Sequence, residues 1–85
     1  MSPIKLRVLI DAKRFVETMR ANRSSDEMII LSMIGDFNAK RDFKGGSYVL
    51  SCCGVTGYCT ASRDKGLLNS WLRATIRRIA KETGQ

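Results

Sequence analysis

Residues 45–62, GGSYVLSCCGVTGYCTAS, hold all three cysteines and four of the seven glycines of the chain, and they lie between two long stretches with the apolar period of a helix. Residues 47–53 and 58–62 are rich in β-formers and are separated by Gly54-Val55-Thr56-Gly57, which predicts a hairpin. A hairpin alone cannot bury both faces, so the flanking segments must cover it.

The flanks are suited to that. Val8, Leu9, Ala12, Phe15, Val16 and Met19 fall on one arc of a helical wheel, with Asp11, Lys13, Arg14, Glu17 and Arg20 on the other. Ser2-Pro3 reads as N-cap and first helical residue. Ile4, Leu6, Val8 and Ile10 also alternate as in a strand, but the favoured reading is helix throughout. At the other end, Ser62 is the expected cap of a helix over 64–82, in which Leu67, Leu68, Trp71, Leu72, Ile76 and Ile79 share an arc. The two long helices are expected to pack on one hairpin face through Phe15, Val16, Met19, Leu68, Trp71, Leu72 and Ile79.

The segment between is ambiguous. Ser24-Ser25-Asp26-Glu27 reads as a capping box with Ser24 as cap, ahead of the all-apolar run MIILSMI. A run apolar on every side predicts burial on most sides, and it suits a helix or a core strand at 28–34. Residues 36–43 read as a short third helix carrying Phe37, Lys40, Arg41 and Phe43, ended by Lys44-Gly45-Gly46.

With 85 residues, 44% hydrophobic and 27% charged, the chain has the size and composition of one folded domain, here an α+β domain over residues 1–85. The first arrangement is winged-helix-like, two long amphipathic helices flanking a β-hairpin. In it 26–34 and 36–43 form a helix-turn-helix whose recognition helix ends near Lys40, Arg41 and Lys44. If 28–34 is a strand, the order becomes α-β-β-β-α with a three-stranded antiparallel sheet. That order resembles double-stranded-RNA-binding domains, a likeness of element order alone.

No stretch approaches the roughly 18 apolar residues of a membrane span, and the first residues lack a signal-like apolar core. A cytoplasmic protein with no membrane partner is expected. In such a compartment three cysteines read as reduced core residues. A zinc site needs four ligands, whereas Cys52-Cys53-x5-Cys59 supplies three sulfurs and the chain has no histidine. Strand alternation would also point Cys52 and Cys53 to opposite faces. The hairpin register is open: a Val55-Thr56 turn sets Cys52 opposite Cys59, a Val55-Thr56-Gly57 loop sets Cys53 there, and a Gly54-Val55 turn pairs Cys59 with Leu50. No metal, cofactor or small-molecule substrate is expected. No enzymatic constellation stands out either, because the carboxylates are scattered and only Arg63 and Lys65 lie near a thiol to activate it.

Fifteen Lys and Arg against eight Asp and Glu leave a formal charge of +7, which favours an anionic partner. Arg73, Arg77 and Lys81 recur at i, i+4, i+8 opposite the apolar arc, with Arg78 at their edge, and such a stripe can follow phosphates. Lys40, Arg41 and Lys44 form a second cluster. The first functional expectation is therefore a small basic nucleic-acid-binding protein, on the winged-helix arrangement a regulator, using these six residues. The alternative is a small inhibitor or adaptor of the phage or mobile-element type. It would grip an acidic protein surface with Phe43, Tyr48 and Tyr58 as aromatic anchors.

Overall fold

A computed structural model of the chain describes residues 1–61 and 64–84. The elements run α1 (Pro3–Ala21), α2 (Asp26–Phe37), β1 (Lys40–Lys44), β2 (Ser47–Cys52), β3 (Val55–Cys59) and α3 (Lys65–Glu82). The domain is thus small and α+β, with long amphipathic helices flanking a hairpin, and its sheet is three-stranded, antiparallel and ordered β1-β2-β3.

Helix α1 starts as the Ser2-Pro3 pair implies, with the Ser2 hydroxyl accepting from the Lys5 amide at 3.2 Å. Residues 28–34 are helical. The cap of α2 is Ser25 rather than Ser24: the Ser25 hydroxyl accepts from the Met28 amide at 3.2 Å, while Ser24 lies against the Met19 sulfur. The MIILSMI run is also less enclosed than its composition suggests. Ile29, Ile30 and Met33 are fully buried, whereas Met28, Leu31 and Ile34 are exposed on the opposite side of α2.

The expected third helix over 36–43 does not form, and with it goes the recognition helix of the helix-turn-helix arrangement. Asn38 adopts the left-handed conformation at φ +56°, its amide bonds back to the Met33 carbonyl, and the chain leaves α2 directly into β1. The three-stranded sheet therefore takes its first strand from 40–44, not from 28–34.

Two tight turns set the sheet register. Gly45 and Gly46, both at positive φ, join β1 to β2 and pair Lys44 with Ser47 and Arg41 with Leu50. Cys53 and Gly54, at φ +53° and +80°, join β2 to β3 and pair Cys52 with Val55, Leu50 with Gly57 and Tyr48 with Cys59. None of the three expected hairpin registers is adopted, because the turn begins at Cys53, one residue before the earliest of them and two before the others.

Alternation along the strands then divides the sheet. Tyr48, Leu50, Cys52, Val55, Gly57 and Cys59 face the helices. Lys40, Lys44, Val49, Ser51, Thr56 and Tyr58 face outward, and none of these is buried. The core lies between the inner sheet face and the helices. It is built from Leu9, Ala12 and Val16 of α1, Ile29, Ile30 and Met33 of α2, Leu50, Cys52 and Val55 of the sheet, and Leu67, Leu68 and Trp71 of α3. Phe15, Met19, Leu72 and Ile79 pack against it half-buried. Val8 and Ile76, on the apolar arcs of the wheels, are 42% and 52% exposed.

The last helix packs on β3 more closely than on any other element. Gly57 lies beneath the Trp71 backbone, and the Trp71 indole N–H donates to the Cys52 carbonyl at 3.3 Å. The expected Ser62 cap lies outside the described residues. Asp64 immediately precedes α3, and its carboxylate is 3.1 Å from Arg41. No helix among the described residues is long and apolar enough to cross a membrane.

Candidate functional site

The six basic residues singled out in the sequence do not form one surface. Lys40 and Lys44 point to the outer sheet face, where Lys44 is 3.6 Å from Asp42. Arg41, between them on β1, points the other way. Its guanidinium lies 3.3 Å from Glu27 and 3.1 Å from Asp64, tying β1 to the starts of α2 and α3. Strand alternation breaks the cluster apart, and the Arg41 charge is engaged within the fold.

Arg73, Arg77 and Lys81 do stay together. All three are exposed on the flank of α3 that runs along the edge strand β3, and none forms a salt bridge with a described carboxylate. Arg78 is held by Glu82 at 3.2 Å. Between α3 and β3 runs a shallow groove in two joined parts. One, of about 380 Å³, is lined by Thr56, Gly57, Tyr58, Ser70, Arg73, Ala74 and Arg77. The other, of about 320 Å³, is lined by Gly54, Val55, Thr56, Ala74, Arg77, Arg78 and Lys81. Thr56, Ala74 and Arg77 line both, so the two parts adjoin at these residues.

The groove exists because small residues line the α3–β3 contact. Gly57 admits the Trp71 backbone and Ala74 leaves room beside Thr56. The Ser70 hydroxyl donates to the Tyr58 carbonyl at 2.6 Å, pinning α3 to an edge-strand acceptor, and accepts in turn from Arg73 at 3.5 Å. Tyr58, 62% exposed, stands at the rim on the outer face. A shallow groove with three guanidiniums, one of them held by Glu82, an ammonium, hydroxyls and one exposed ring suits a polyanion that also carries flat groups.

Of the aromatic anchors considered for a protein partner, Tyr58 belongs to this groove. Phe43 and Tyr48 are cross-strand neighbours with ring centroids 4.9 Å apart, at the far edge of the sheet. Phe43 is 57% exposed and Tyr48 half-buried. Ser70 and Thr56 were not singled out in the sequence. Nothing in their local pattern marks them, since only the packing of α3 on β3 brings them beside the basic stripe.

The three thiols are free. Burial, with the neighbouring Cys53 thiol adding to it, pushes the Cys52 thiol well above the ordinary range; burial also raises Cys53, against an opposing hydrogen bond with Cys52. Cys52 and Cys53 thus lack the lowered pKa of nucleophilic cysteines. Arg63, one of the cations near the thiols in sequence, lies outside the described residues. Comparison with protein-family models, curated proteins and solved structures finds no match for the chain.

Proposed function

We propose that this protein binds nucleic acid in the α3–β3 groove, with Arg73, Arg77 and Lys81 on successive phosphates and Tyr58 stacked on an unpaired base. The observation that supports this reading is the alignment of the three exposed cations along one open edge strand, beside an exposed ring. Successive turns of a helix lie about 5.4 Å apart, close to the spacing of phosphates along a strand. A lone aromatic beside a basic track is the ordinary means of holding unstacked bases without reading sequence. Lys40 lies two strands across the outer face from Thr56, about 10 Å away, and extends the positive field in that direction.

The test is fluorescence anisotropy with random-sequence single strands and duplexes at about 50 and about 200 mM salt. Replacing Arg73, Arg77 and Lys81 together with Gln should flatten the slope of log affinity against log salt by up to about 2.1 on single strands and about 2.7 on duplex. Tyr58→Ala should weaken single-strand binding by about 1–3 kcal/mol while leaving the salt slope unchanged. No binding at the lower salt, or an unchanged slope in the triple variant, rejects the reading.

A second reading, an inhibitor or adaptor that docks on an acidic protein, draws on the exposed Phe43 against Tyr48. Pull-down from nuclease-treated lysate separates the two. A partner retained after nuclease and lost in Phe43→Ala favours the protein surface over the groove.

A further inference from the structure

Strand β2 ends at Cys52, and Cys53 is the first residue of the turn into β3, with φ +53°. In an extended strand the two side chains would diverge. The left-handed backbone at Cys53 cancels that alternation and brings its sulfur beside that of Cys52, Sγ to Sγ 3.6 Å. The position is costly for a cysteine. Turns with both central residues at positive φ favour Asn, Asp and Gly, and a residue held against such a preference directs attention to its side chain. Cys52 is buried, whereas Cys53 opens on an apolar concavity of about 280 Å³ whose walls include Ile4, Val8 and Lys5.

We propose that Cys52 and Cys53 form a two-thiolate binding site for a soft, thiophilic centre, copper(I) or a monosubstituted arsenic(III). Thiolates select soft acceptors. Zinc is excluded by ligand number: it wants four, and among the described residues no third Cys, His, Asp or Glu joins the pair. Cys59 pairs with Tyr48 at the far end of β2, about 13 Å along the strand from Cys52. Burial keeps the resting pair as a dithiol, so only a centre whose bonds to sulfur outweigh the two protons occupies it.

The chemistry balances without electron transfer. With copper(I), two S–H bonds break, two Cu–S bonds form and two protons pass to solvent. The product carries one negative charge, at a concavity whose lining includes Lys5. With an organoarsenic(III) oxide, two S–H bonds and the arsenic–oxygen bond break, two As–S bonds form and one water leaves. That product is neutral, and its organic group lies against Ile4 and Val8.

The experiment is native mass spectrometry of the full chain under reducing conditions. One arm uses phenylarsine oxide; the other uses copper(I) supplied with a competing chelator. Either arm should give one adduct per chain, unchanged in Cys59→Ser and absent in Cys53→Asn, and the arm that gives it identifies the centre. Asn suits the turn better than Cys, so that variant folds and its loss of binding reports the missing sulfur. No adduct in either arm, an adduct retained by Cys53→Asn, or one lost in Cys59→Ser overturns the proposal.

Discussion

Gly57 and Trp71 touch through backbone: a Cβ on Gly57 would lie 2.5 Å from the Trp71 nitrogen and 2.7 Å from its Cα. The constraint is steric, because Gly57 is not at positive φ. Gly57→Ala must therefore push α3 off β3. Overpacking a close contact costs about 1–3 kcal/mol, and a clash with backbone lies at or above the upper end. Urea melts should show that loss, and a variant that melts like the parent would mean α3 sits farther from β3 than described.

Gly35 is the opposite case. It lies inside α2, and a Cβ there would meet nothing within 4 Å. Gly35→Ala should stabilise the domain by about 1 kcal/mol, the difference in helix propensity. A gain in midpoint denaturant concentration with unchanged slope is the expected readout. A loss would indicate that this exposed face of α2 is needed bare.

Trp71 combines a fully buried ring with one hydrogen bond, to the Cys52 carbonyl. Trp71→Phe keeps most of the apolar volume and removes the indole donor to the Cys52 carbonyl, at about 0.5–1.5 kcal/mol. Trp71→Ala loses the packing as well and should cost about 3–5 kcal/mol. Thermal melts of both variants test the order. Equal losses would mean that the packing of the ring adds nothing beyond the hydrogen bond.

Thr75 is fully buried on α3, and its hydroxyl has no hydrogen-bond partner among the described residues. A buried polar atom without a partner is a net cost, so Thr75→Val, similar in shape, should leave stability equal or higher. Destabilisation of more than about 1 kcal/mol would reveal a partner for that hydroxyl.

Cys53→Asn relieves a left-handed cysteine in a turn that favours Asn. A relief of about 1 kcal/mol corresponds to a rise in Tm of about 4–8 °C for a domain of this size. A fall in Tm instead would show that the Cys53 sulfur contributes more to packing than its backbone costs.

The helices at the two ends were legible because their apolar period runs for many turns and carries its own start signal in Ser2-Pro3. The middle was not. Phe37, Lys40 and Arg41 fit a helical spacing, and the one residue that ends α2, Asn38, stops a helix only by adopting a left-handed backbone that composition does not reveal. The Gly54–Gly57 stretch misled in a similar way. Both glycines suit a turn, yet Gly57 is needed for its missing Cβ beneath α3, a demand that arises from tertiary contact. The basic stripe on α3 could be read from its period. The split of Lys40, Arg41 and Lys44 across the sheet could not, since it required knowing that they lie on a strand.

The residues that close the core on the sheet, Leu67, Leu68 and Trp71, belong to α3, which follows all three strands in the chain. A nascent chain therefore carries a complete but uncovered hairpin, with Leu50, Cys52 and Val55 open to water, until α3 has cleared the ribosomal tunnel. Vectorial synthesis works against this topology: the earlier elements can only wait. Premature stops within α3 should yield aggregates rather than a shortened, working domain.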